Sequence, residues 1–268
     1  MQRAEIVQAI GADGAEIGAR AAGHLDLAFR QMMVGRGAEA GRGFLRLVTG
    51  ERHPLGNVAI VSDAGDLQVM CAAVLPLLEC GQPAAVLYTR GVSQAVAEAV
   101  AALGFAGPAD MPAMAVDIAR LASTELPPGC DLVRVGDLAG SRAWTAVLAE
   151  GYPLPPGLAH RFSPEFLGAG VAADAPLQFF AVMRDGRAVA TSMLCLEDGL
   201  AGIYCVATLP GERGKGLGAH VTAAALLAAR RIGYRVGILQ SSPEGHSIYR
   251  RLGFADVGAV AMFVRMPD

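Results

Sequence analysis

Apolar residues in the second half of the chain gather into short runs divided by turn pairs. Residues 177–183 (LQFFAVM), 188–196 (AVATSMLCL) and 201–206 (AGIYCV) each read as a strand. Asp185-Gly186 and Asp198-Gly199 stand between them, and such pairs favour two-residue hairpins, which predicts a three-stranded antiparallel meander. The period then changes. Leu217, Val221, Ala225, Ala228 and Ile232 follow at steps of 4, 4, 3 and 4, one apolar stripe of a helix that Gly233 ends. Residues 235–239 (RVGIL) form a further strand, and Ser242 before Pro243 marks the cap of a short helix carrying Ile248 and Leu252 on one face. Gly253 stops it and Phe254 opens the last strands.

The first half repeats part of this order. Residues 57–61 (NVAIV) and 84–88 (AAVLY) read as strands, and 67–79 as a helix that Pro76 is expected to kink or break. Ser93 caps a further helix running to Leu103-Gly104-Phe105, the counterpart of Leu252-Gly253-Phe254. From Val61 to Leu103 is 42 residues and from Val206 to Leu252 is 46; the difference falls where the second half has a glycine cluster. The halves therefore read as two copies, one degenerate. A boundary at 123–129 (STELPPG) divides a domain 1–122 from a domain 130–268.

Composition narrows the class. With 53% hydrophobic and 18% charged residues the chain is globular, and a formal charge of −3 without basic runs argues against nucleic acid as a partner. The five cysteines are odd in number and form no C-x-x-C pair, so free thiols, no metal site and a cytoplasmic location are expected. No stretch reads as a membrane span or a signal peptide. Lys215 is the one lysine beside 21 arginines.

Lys215 lies in the cluster Gly211-Glu212-Arg213-Gly214-Lys215-Gly216-Leu217-Gly218, between a strand and a helix start. Glycines there leave successive backbone N–H groups unshielded, and the helix dipole adds about half a positive charge, so the segment suits phosphate oxygens. A Walker loop requires Ser or Thr after the lysine, where Gly216 stands. A dinucleotide loop requires a different glycine step and does not follow an antiparallel meander.

The remaining pattern, Arg213-x-x-Gly216-x-Gly218 after Val206-Ala207-Thr208, resembles the GNAT family of acyl-CoA-dependent N-acyltransferases. Residues 247–254 (SIYRRLGF) are similar to that family's late tyrosine motif, and the resemblance covers about 130–268. It implies a mixed α/β sheet of the GNAT fold, with two GNAT-like halves in tandem. It also implies that acetyl-CoA lies where two parallel strands part. Val206 and Ala207 would then meet the pantetheine arm, and Arg213, Gly214, Lys215, Gly216, Leu217 and Gly218 the pyrophosphate. Ser242 stands near the cofactor or serves only as a helix cap.

The resemblance further implies direct attack of an amine on the thioester, with a strand amide stabilising the oxyanion and Tyr249 as the acid for the departing thiolate. Some members carry a glutamate on the strand before the loop; residues 200–205 here offer none. Glu197, Asp198, His160, Glu165, His246 or a water chain remain as the base. Cys205 reads as packing rather than as a nucleophile. The acceptor is expected to be a small-molecule or peptide amine met by the variable stretch 152–176, and a homodimer is compatible with the family. A non-catalytic acyl-CoA-binding regulatory protein is the other reading that stays open.

Overall fold

The computed structural model describes residues 14–121, 124–168 and 172–267. In chain order the elements are helix α1 (Gly14–Met33), strands β1 (Ala38–Gly41), β2 (Phe44–Val48) and β3 (Asn57–Val61), helix α2 (Leu67–Cys80), strand β4 (Ala84–Tyr88), helix α3 (Gln94–Ala102) and strand β5 (Ala106–Asp117). There follow β6 (Cys130–Val135), α4 (Leu138–Gly151), α5 (Pro156–Arg161), α6 (Pro164–Leu167), β7 (Leu177–Arg184), β8 (Arg187–Glu197) and β9 (Leu200–Thr208). The last are α7 (Leu217–Arg231), β10 (Val236–Gln240), α8 (Pro243–Arg251) and β11 (Ala255–Arg265).

These elements form two compact units: Gly14–Ala113 with Val257–Asp268, and Met114–Asp256. The division differs from the linear one expected at 123–129. Residues 114–117 of β5 neighbour β10, and the Ile118 N–H donates to the Arg235 carbonyl, so the end of the first repeat belongs with the second. Conversely β11 pairs antiparallel with β4, from Ala261 opposite Tyr88 to Arg265 opposite Ala84. Its terminal strand belongs with the first repeat.

In the 114–256 unit, β7, β8 and β9 make the expected meander, flanked by β6 and β10. Both hairpins turn through two residues of positive φ, Asp185 (51°) with Gly186 (77°) and Asp198 (48°) with Gly199 (69°), the conformation that matches strand twist. Helix α7 buries Leu217, Val221, Ala225, Leu226 and Ala229 against this sheet. Ala228 and Ile232 of the expected stripe lie at its half-buried margin. On α4, Ser141, Trp144, Val147 and Leu148 face inward.

In the other unit α2 is not broken at Pro76. Proline removes the N–H that the carbonyl four residues earlier, Ala72, would accept. That carbonyl accepts instead from the Arg46 guanidinium on β2, which also pairs with Glu39. Replacement of the lost donor by a side chain explains why the helix continues.

Candidate active site

The site begins with a bulge. Thr191 of β8 stands opposite Ala207 and Met193 opposite Tyr204, so Ser192 alone faces Cys205 and Val206. The extra residue is accommodated by Cys205, whose φ of 51° is a left-handed conformation that costs a non-glycine residue energy. The Thr191 hydroxyl donates to the Cys205 carbonyl at 3.1 Å. Beyond the bulge β9 has no registered partner in β10: their parallel pairing consists of Ala201 with Gly237 and Gly202 with Ile238. β9 continues to Thr208 beside a gap. By contrast, the equivalent parallel strands of the other unit, β3 and β4, pair continuously from Val58–Ala85 to Val61–Tyr88.

At the open end of the gap the chain makes a short turn, Pro210–Glu212, and enters α7 through Gly214 and Gly216, with φ of 77° and 78°. Gly216 caps α7 without a side-chain hydrogen bond, which leaves the first-turn amides free of any side-chain acceptor. A Cβ built at Gly218 would lie 3.6 Å from Thr208 Oγ1 and 3.8 Å from Val206 Cγ1, so larger side chains there would fill the space between helix and strand. In the other unit the matching helix N-terminus is occupied by its own carboxylate: Asp66 accepts from the Gln68 and Val69 amides.

Comparison with known proteins finds the same arrangement elsewhere. Residues 175–256 match the model of the acetyltransferase (GNAT) domain. That match runs from β7 through α8 and so takes in the bulge, the gap and the glycine turn. Among solved structures it resembles a GCN5-related N-acetyltransferase from Kribbella flavida, at 22% identity over 91% of this chain and 95% of that one, with a TM-score of 0.64. It also resembles one from Sphaerobacter thermophilus, at 15% identity over 83% and 76%, TM-score 0.60. A tandem GNAT protein from the clavulanic acid biosynthesis pathway aligns at 13% identity over 79% of this chain and 75% of that one, TM-score 0.51. These likenesses show the GNAT acyltransferase fold, and one of the three is a tandem GNAT protein. Comparison with curated proteins gives no match.

Around the gap the expected residues take specific places. Val206 and Ala207 follow the bulge on β9. Arg213 does not project free: Nη2 donates to the Gly151 carbonyl at 2.9 Å and Nε to the Thr208 carbonyl at 3.4 Å, tying the loop to the end of α4 and to β9. Lys215 Nζ lies 3.0 Å from Glu212, whose carboxylate also pairs with Arg184 and is held below the usual range, chiefly by its bond to Lys215. Ser242 caps α8, accepting from the Gly245 amide at 3.2 Å.

Tyr249 sits on α8, half-buried, its ring edge-on to Phe254 at 5.8 Å. Burial pushes its hydroxyl up to about 12, so it stays protonated at neutral pH. Sequence reasoning missed two neighbours. The Tyr152 hydroxyl is raised by burial and then by the charges of Tyr249, Cys205 and Glu244, which places these four groups in one neighbourhood although Tyr152 is 41% exposed. The Glu244 carboxyl is lowered by its own backbone N–H, by the Ser242 hydroxyl and by Arg213. The only sequence signal for either was proximity: Tyr152 opens the variable stretch and Glu244 follows Ser242 by two.

The residues considered as bases take the following places. Glu197 pairs with Leu200 at the end of β8 away from the bulge, and Asp198 forms the hairpin turn. His246 Nε2 is bound to Asp256 at 2.8 Å. His160 and Glu165 line a cleft of about 290 Å³ over α4, with Arg142 and a floor of alanines. Cys205, its thiol pushed up to about 12 by burial, is not a thiolate at neutral pH.

Proposed function

We propose that the GNAT domain is an acetyl-CoA-dependent N-acetyltransferase acting on a primary amine of a small molecule or peptide in the cytoplasm. The observation that carries this reading is the parting of β9 and β10 beyond Gly202, with the side-chain-free N-terminus of α7 at its open end. An elongated thiol ester with a charged pyrophosphate fits these two features together: Val206 and Ala207 border the gap, and the amides after Gly216 face the anion. When bound, the thioester supplies the activated acyl group. Tyr249 holds the proton that the leaving sulfur needs, and burial keeps it there. Glu244, with its lowered pKa, is a poor base at neutral pH; its charge suits it to attract a cationic amine, whose proton passes to solvent. Arg213, bridging the loop and Gly151, holds the cofactor side and the acceptor side in one frame.

The test is incubation with acetyl-CoA and a broad amine panel, monitoring free thiol and acetylated product. Thiol release that depends on an amine supports the enzyme. Binding of acetyl-CoA with no turnover on any amine supports the regulatory alternative instead.

A further inference from the structure

We infer that Thr191, a buried residue on the neighbouring strand β8, is a positioning residue that aims the Val206 amide into the active-site gap; this rests on the acetyltransferase reading above. A trans peptide is planar, with its C=O and N–H pointing in opposite directions. The peptide that joins Cys205 to Val206 contains the Cys205 carbonyl, and the Thr191 hydroxyl binds that carbonyl at 3.1 Å from the β8 side. The Val206 N–H therefore points away from Thr191, toward the side where β9 has lost its β10 partner. Cys205 is held at φ 51°, a conformation a cysteine leaves unless its surroundings oppose it. Thr191 is fully buried, so its hydroxyl needs a partner, and that carbonyl provides one. A buried hydroxyl, a strained residue and a one-residue register shift thus converge on the orientation of a single peptide.

In the reaction the amine nitrogen bonds to the thioester carbon while the carbonyl π pair moves onto oxygen. The C–S pair then leaves with sulfur, which takes its proton from Tyr249, and the nitrogen gives its own to solvent. The Val206 N–H donates to the oxygen as charge builds there, which is where a preoriented donor has most effect. Without the Thr191 bond the Cys205–Val206 peptide can rotate and the donor loses its aim.

The test compares Thr191→Val, which keeps size and β-branching but lacks the hydroxyl, with Thr191→Ser, which keeps the hydroxyl. Ser192→Ala is the control: it keeps the backbone that faces the bulge and removes an adjacent buried hydroxyl that bonds the Val221 carbonyl on α7, not the Cys205 peptide. In [15N]valine-labelled protein, acetyl-CoA should move the Val206 amide proton downfield in the wild type, in Thr191→Ser and in Ser192→Ala, but not in Thr191→Val. In turnover, Thr191→Val should lower kcat by about tenfold or more, short of the ~10²–10³ for a donor removed outright, with acetyl-CoA affinity unchanged. Thr191→Ser should restore most of that rate. A Val206 amide that acetyl-CoA moves as far in Thr191→Val as in the wild type, with kcat unchanged, overturns the inference, as does an equal loss in Ser192→Ala. Acetyl-CoA that binds without moving Val206 in the wild type overturns this assignment alone. Failure to bind acetyl-CoA overturns the acetyltransferase reading with it.

Discussion

Tyr249 has a hydroxyl raised by burial and a half-buried ring edge-on to Phe254, the setting of an acid that keeps its proton. Tyr249→Phe preserves the ring and removes only the hydroxyl proposed as the acid for the departing thiolate, so kcat should fall about 10²-fold or more with cofactor affinity nearly constant. Because the acid form is the active one and its pKa is pushed up to about 12, the wild-type rate should show no alkaline decline from this residue below that pH; a pH–rate profile checks it. At the loop, Arg213→Glu would place a carboxylate beside the proposed pyrophosphate site and break the bond to Gly151, and should weaken CoA binding by more than ~1–3 kcal/mol, the worth of a charge-assisted bond. Gly216→Val should act in the same direction, since a β-branched residue at φ 78° is strained and opposes the loop's shape. Titration calorimetry on both variants checks the pair.

Among elements, the meander and α7 were readable because hairpin turns and apolar periodicity are local. Asp-Gly pairs state a turn, and residues four apart state a helix face. The bulge was not readable: Cys205 carries no sign of its positive φ, which accompanies a register shift between two strands and the Thr191 bond across the ladder. So the residues bordering the gap could be named, but not the reason the strands part. The opposite error arose at Pro76, where the local rule was sound and a distant arginine offset it. Arg46→Met should therefore destabilise by roughly 1 kcal/mol, the net worth of one hydrogen bond to a carbonyl that water can reach. The same substitution should cost clearly less in a Pro76→Ala background, where the helix supplies its own N–H; a double-mutant cycle by chemical denaturation checks this.

For the whole molecule, one CoA per chain is expected, in the 114–256 unit, because β3 and β4 stay paired and Asp66 fills the helix terminus of the other. Calorimetry should give a single site. Stability should decline in alkali. Cys195 and Cys205, each pushed up to about 12 by burial, hold their protons when folded, whereas unfolded thiols lose theirs near 9. Their contribution is complete below about pH 9 and is lost as pH rises toward 12, so melting temperature should fall over that window. Cys195→Ala should flatten the fall. The exchange of terminal strands bears on how such a chain is made. During synthesis β4 emerges long before its partner β11, so the unit built from the first repeat waits, with an open sheet edge, until residues beyond 256 leave the ribosome. A gene that lost its first repeat would strand β11 without a mate and strip β10 of one of its two neighbours, which gives that repeat a reason to persist that has nothing to do with catalysis.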